Sequence, residues 1–136
     1  MRDASRCFVC GQDNPIGLRL RFAPHGDGVR AEFTPGELHV GYEGLVHGGI
    51  LAALIDDALA NIWFARGREA VTAKIEVRFR REVRPGDRLT ITAVPTGRKG
   101  GLATAQAQVA RADGEVVAEG SGFLAVRGDP AVGREG

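Results

Sequence analysis

The chain has 136 residues, 18 Lys and Arg against 17 Asp and Glu, and 43% hydrophobic residues. That describes one domain able to bury its own core. A net charge of +1 gives no footing for nucleic acid or a membrane surface, and no apolar run approaches the roughly 20 residues that span a bilayer.

Residues 1–17 form a leader that carries Cys7-Phe8-Val9-Cys10. Its start lacks the apolar core of a secretory signal, and two cysteines this close cannot build a long-range disulfide framework, so a cytoplasmic location is expected. Residues 18–22 and 28–33 read as two short strands around a turn at Pro24-His25-Gly26-Asp27. Residues 34–46, rich in Gly and turn formers, read as a loop. Over residues 48–66 the apolar side chains Ile50, Leu51, Leu54, Ile55, Ala58, Leu59 and Ile62 recur at helical spacing. That face is broad enough to predict a helix buried on most sides, with Gly67 as its stop. Trp63 and Phe64 are expected in core or interface packing.

The period then changes. Val71, Ala73, Ile75, Val77 and Phe79 alternate with Thr72, Lys74, Glu76, Arg78 and Arg80, the pattern of a strand with one wet face. Pro85-Gly86-Asp87 makes a turn, and residues 88–94, 102–112 and 116–126 read as three more strands, with Asp113-Gly114 as a hairpin signal. The tail, residues 127–136, reads as unstructured, and there is no internal repeat. This order predicts an α+β domain in which one helix covers one face of an antiparallel sheet. The outer face of that helix is expected to meet another subunit.

His47-Gly48-Gly49 opens the helix, and Asp56 follows two turns later. Glycine costs helix stability, so a pair at this point predicts a close approach to the backbone. First-turn N–H groups lack intrahelical partners and sit at the positive end of the dipole, which suits a polarised carbonyl or an oxyanion. Asp56 has Ala52, Ala53, Leu59 and Ala60 as its helical neighbours, leaving a partly desolvated acid with room for a ligand. The plainer alternative is a satisfied interface acid. Asp57, about 100° further round, is the rival carboxylate, solvated or bonded to Asn61 one turn on. Gly49 and Asp56 lie about 10 Å apart along one helix, too far for both to act on one carbonyl. Two antiparallel helices in a dimer would bring Gly49 of one chain to Asp56 of the other. The predicted site therefore lies between subunits.

The run from His47 to Asp56 resembles the helix signature of hotdog-fold acyl-CoA thioesterases of the phenylacetic-acid-pathway type. Gly41-Tyr42-Glu43-Gly44-Leu45-Val46, Val71-Thr72-Ala73-Lys74 with Phe79, and Arg84-Pro85-Gly86-Asp87 resemble its approach loop, following strand and turn. The likeness covers about residues 18–126. It implies a sheet wrapped around one long central helix, and an enzyme that hydrolyses an acyl-CoA thioester to free acid and CoA. By resemblance, the Gly49 N–H polarises the thioester carbonyl and Asp56 acts from the partner subunit as general base or nucleophile. Thr72 helps position the attacking water, and His47 orients the loop. A homodimer, or a dimer of dimers, is implied, with CoA as part of the substrate and no separate cofactor. Relatives often carry Asn or Gln six residues before the histidine, where this chain has Gly41.

Cys7 and Cys10 have the spacing of half a zinc site, for which His25, His39 and His47 are the histidines at hand. The expected reading is two reduced thiols, with zinc or a redox dithiol as alternatives, and no metal site is assigned. The segment up to Leu18, with Asn14-Pro15-Ile16-Gly17, resembles the leader of one branch of these proteins. Among the basic residues, Arg78, Arg80, Arg81, Arg98 and Lys99, the last two in a flexible loop with Gly100-Gly101, are candidates for the CoA phosphates. A solvated sheet face is the alternative for each. Two other functions stay open. One is a non-catalytic acyl-CoA-binding module, suggested by Gly41. The other is a hydratase, for which no His–acid pair stands out.

Overall fold

The computed structural model describes residues 2–127, so most of the predicted unstructured tail lies outside the described residues. The elements run β1 (Ala23–His25), β2 (Gly28–Phe33), α1 (Gly48–Phe64), β3 (Ala70–Phe79), β4 (Leu89–Lys99), β5 (Leu102–Arg111) and β6 (Val116–Val126). All strands join one antiparallel sheet in the order β1-β2-β4-β5-β6-β3, and α1 packs across it. This is the hotdog arrangement that the sequence implied.

The helix seats closely because the sheet opposes it with small residues. Leu54, Ile55, Leu59 and Ile62 are fully buried against a face that includes Ala93, Ala103, Ala105 and Ala107. A Cβ at Gly120 would stand 2.9 Å from Ile55 Cγ2, and one at Gly122 2.9 Å from Leu59 Cδ1. Those two glycines set how near the helix comes to the sheet. No residue from 50 to 63 is exposed, as the broad apolar face predicted. Trp63 is core, whereas Phe64 is partly exposed. The helix stops where Gly67 N–H bonds the Phe64 carbonyl and Arg68 N–H bonds the Trp63 carbonyl, a glycine-based C-terminal motif.

Four local expectations change. Residues 18–22 are not a strand; Leu18 and Leu20 donate their N–H groups to the carbonyls of Phe8 and Val9, and Arg19 between them takes φ +57. The leader thus takes the ladder bonds that a neighbouring strand would have taken, and β1 begins only at Ala23. The segment read as a loop contains a 3-10 turn at Glu37–His39 and a bridge between Val40 and Val46.

In β3 the predicted alternation breaks at a bulge, because Thr72 pairs with Leu124 and Lys74 with Phe123, leaving Ala73 unpaired. A bulge reverses the phase of the pleat. Ala70 and Thr72 are half-buried on one side of it, Ile75 and Val77 on the other, while Val71 and Ala73 turn outward.

Finally, β4 continues past residue 94, with Pro95 beyond the last β2 partner, Ala93, and beside a register shift. A missing N–H there removes no bond to β2. Arg98 and Lys99 are consequently strand residues paired with Ala103 and Leu102, not a flexible loop. Gly100 (φ +59) and Gly101 (φ +82) close the hairpin in the left-handed conformations that a tight two-residue turn demands.

Candidate active site

The start of α1 is held by its own histidine. His47, extended at φ −63 and ψ 135, caps the helix by accepting the Gly49 N–H at Nδ1 over 2.7 Å. A Cβ on Gly49 would lie 2.9 Å from that nitrogen. The close approach that the glycine pair predicted is thus made by the His47 ring, and in this conformation Gly49 N–H is not open to a ligand. Gly48 N–H, one residue earlier, has no hydrogen-bond partner among the described residues. The Phe79 ring, 53% exposed, stands about 3.5 Å from where a Gly48 Cβ would be, so an apolar wall borders the open N–H. Gly41 lies against the other edge of the same imidazole, with 3.1 Å from its virtual Cβ to His47 Cδ2. A side chain there would push against the ring. Upstream, His47 N–H bonds the His39 carbonyl and Val46 N–H bonds the Val83 carbonyl, which fix the approach loop.

Asp56 lies two turns along, half-buried in a stripe with Ala52, Ala53 and Ala60. Its Oδ1 is buried and has no hydrogen-bond partner among the described residues. Native proteins rarely leave a buried carboxylate oxygen unmatched, which makes this atom the candidate contact for a group beyond the described residues. Continuous helix from Gly48 to Phe64 keeps the separation from Gly49 at about 10 Å.

Asp57 is in a different situation. Its Oδ1 accepts from Cys7 Sγ at 3.4 Å and its Oδ2 from Asn61 Nδ2 at 2.9 Å, the amide anticipated one turn on. Asn61 Nδ2 also lies 3.8 Å from Cys10 Sγ. Burial pushes the Asp57 carboxyl upward against the bonds from both thiols and Asn61. Burial also pushes the Cys10 thiol upward, with the charge of Asp57 adding to it. Cys7 Sγ, Cys10 Sγ and an Asp57 oxygen lie within 4.8 Å of one another, a set able to hold a metal ion. No histidine joins them among the described residues, so the ligand beside the thiols is an acid fifty positions from Cys7, with no local sequence signal.

The other expected residues are not gathered around Asp56 within one chain. Thr72 sits near the start of β3, whereas Phe79, at its end, covers the helix N-terminus. The basic residues divide in two. Arg78 pairs across the sheet with Glu119, Gln108 and Thr92 in turn, whereas Arg98 lines up with Ala103, Leu124 and Thr72. These rows are about 17 Å apart along the strands, five residues in β5 and β6. Arg78 lies in a groove of about 560 Å³ with Glu76, Gln106, Gln108 and Glu119, on the side of β3 opposite to Ile75 and Val77, which pack toward the core. Arg80 is exposed and paired with Glu119 at 2.6 Å, and Arg81 with Glu115 at 3.0 Å.

The sequence model of the thioesterase superfamily matches residues 43–118, which include the helix start, Asp56 and Thr72. A hypothetical thioesterase from Streptococcus pneumoniae, crystallised with coenzyme A, is similar over 80% of this chain and 86% of its own, with TM-score 0.73 and 20% identity. The PaaI protein of the phenylacetic acid degradation operon of E. coli is similar over 79% and 82%, with TM-score 0.72 and 23% identity. Zebra fish thioesterase superfamily member 2 is similar over 88% and 91%, with TM-score 0.73 and 21% identity. No curated protein sequence matches the chain. No helix among the described residues is long and apolar enough to cross a membrane. The family match extends over more than half the chain and the neighbours share its architecture, so the chain belongs to the thioesterase superfamily and has the hotdog fold.

Proposed function

We propose that this protein hydrolyses an acyl-CoA thioester to a free acid and CoA, at two sites formed between the chains of a homodimer. The observation that carries the reading is the buried, unpartnered Asp56 Oδ1 on the helix whose first N–H, that of Gly48, is open. Asp56 takes the proton of a water, or attacks directly, and the carbonyl oxygen becomes an oxyanion at the start of the second chain's helix. The Gly48 N–H meets it first; the Gly49 N–H is added when the His47 ring swings off its cap. One such donor is worth about 10²–10³ in rate. Collapse of the tetrahedral intermediate breaks the C–S bond and expels the CoA thiolate, which takes up a proton. With water as nucleophile this leaves the free acid; with Asp56 as nucleophile it leaves an Asp56–acyl anhydride that a water then hydrolyses.

Topology supports the dimer. Strand β3 is ten residues long and forms one edge of the sheet, and such an edge invites pairing. Two β3 edges joined antiparallel would set Thr72 of one chain beside the Phe79 end of the other, joining parts that one chain holds at opposite ends. Thr72 would there orient the water. Arg98 and Lys99, in the row of Thr72, would reach the CoA phosphates, with Arg78 and Arg80 of the second chain at the same mouth. The pneumococcal relative adds support, since it was crystallised with CoA. Structures of that protein were also determined with an aspartate, and with a threonine sixteen residues later, replaced by alanine. Asp56 and Thr72 have the same spacing.

A second reading, acyl-CoA binding without turnover, is favoured by Gly41 in place of an amide and by the capped Gly49 N–H. Thiol release and equilibrium binding, measured over short, long and aromatic acyl-CoAs, separate the two. Release from at least one class supports hydrolysis, whereas tight binding with no release across the panel supports the second reading.

A further inference from the structure

The leader meets α1 through a compact turn with chemistry of its own. Gly11 N–H bonds the Cys7 carbonyl at 2.9 Å, and the Cys10 N–H points to Cys7 Sγ at 3.5 Å. A Cβ at Gly11 would stand 2.3 Å from the Cys7 nitrogen, so only glycine allows the turn to close this tightly. Both sulfurs then face Asp57, with 3.4 Å from Cys7 Sγ to Oδ1 and all three ligand atoms within 4.8 Å of one another.

Tetrahedral zinc with Zn–S near 2.3 Å and Zn–O near 2.0–2.2 Å needs a sulfur–oxygen edge of about 3.5 Å. The Cys7–Asp57 edge meets that requirement before any ion enters. The surroundings are those of a built site. Asn61 Nδ2 donates to Asp57 Oδ2 at 2.9 Å and to the Asp57 carbonyl at 2.8 Å, which holds the carboxylate with Oδ1 toward the thiols.

We propose that Cys7, Cys10 and Asp57 bind a thiophilic divalent cation, zinc in kind, that fastens the leader to α1 one residue from Asp56. Two thiolates favour zinc over magnesium or calcium. Binding forms two metal–sulfur bonds and one metal–oxygen bond, and the two thiol protons go to solvent. No fourth His, Cys, Asp or Glu belongs to the cluster among the described residues, so a water completes the tetrahedron. Its role is to hold the helix turn that carries Asp56, and it does not depend on the reaction proposed above.

The test uses the full chain, reduced, stripped with a chelator and titrated with cobalt(II) without oxygen. One equivalent per chain should produce a thiolate-to-cobalt charge-transfer band with the visible bands of a tetrahedral ion, and zinc should displace it stoichiometrically. Cys7→Ser and Cys10→Ser should each lose most of the charge-transfer intensity. Asp57→Asn should keep that band but weaken binding at least about tenfold. If a variant fails to fold, the wild-type titration, with circular dichroism as the check on folding, still decides. Folded, reduced wild type that gives no charge-transfer band overturns the site, and unchanged cobalt affinity in folded Asp57→Asn overturns the assignment of the third ligand.

Discussion

Asp56 and Asp57 are neighbours in the chain and about 100° apart on the helix, and their surroundings could hardly differ more. Asp57 is covered by the leader and bonded to Cys7 and Asn61, whereas Asp56 keeps a buried oxygen with no partner among the described residues. Both are acids on an apolar helix, so residue type alone does not separate structural from reactive. What separates them is the segment that packs over each. The leader satisfies Asp57 from fifty residues away; no hydrogen-bonding group among the described residues reaches Asp56 Oδ1.

Substitution at this pair is the strongest way to break the comparison. Asp56→Asn should lower the turnover number about 10²–10⁴-fold with an unchanged denaturation midpoint, as removal of a general base does. Asp57→Asn should leave turnover within about tenfold of wild type, and its effect should appear in the leader, as faster hydrogen exchange over residues 5–12. Equal losses of turnover in the two variants would erase the distinction.

The seat of the helix comes next. Gly122→Val places bulk 2.9 Å from Leu59 Cδ1 and from the Lys74 carbonyl, and should cost about 1–3 kcal/mol in urea denaturation. Because both carboxylates ride on that helix, turnover and leader protection should fall together. His47→Ala sharpens the other end. Loss of the cap should cost about 0.5–2 kcal/mol of stability. The same change frees the Gly49 N–H, so the fall in turnover should be smaller than for Asp56→Asn.

The smallest effect is expected where the leader begins. Arg2 donates from its backbone N–H and its Nε to Glu69, each at 2.9 Å, and those bonds hold the Glu69 carboxyl down at about 2 against an ordinary value of 4.5. A depressed carboxyl stabilises the folded form above its unfolded value, and the contribution is lost as pH falls from about 4.5 toward 2. Protection of the leader amides, relative to their intrinsic exchange at each pH, should therefore fall across that range in wild type. In Glu69→Gln it should already be low at neutral pH, without change in turnover.

Much of this was legible in the sequence. Helical spacing from Ile50 to Ile62 located α1, and the turn residues Asp113-Gly114 located the hairpin between β5 and β6. The failures have physical causes. A strand at residues 18–22 was plausible from composition, but the leader occupies the hydrogen bonds it needed. The bulge at Ala73 changes which side chains of β3 face inward, and a regular alternation gives no sign of it. That the His47 ring caps the Gly49 N–H was not legible, because a histidine at the N-cap gives no sign in the sequence of which way its ring turns. Asp57 as the partner of Cys7 required a contact fifty residues distant, which no local pattern contains.

The central claim is that Asp56 and the helix start act together only across two chains. Gly48→Pro removes the open N–H at the first helical position, where proline is tolerated, and should be as defective in hydrolysis as a lost oxyanion donor implies. The direct test is to unfold and refold an equal mixture of Asp56→Asn and Gly48→Pro chains and measure thiol release from the preferred acyl-CoA. A shared site predicts recovery to about one quarter of wild-type activity, since half the dimers are mixed and each has one intact site. A mixture no more active than the average of its two components would contradict the account.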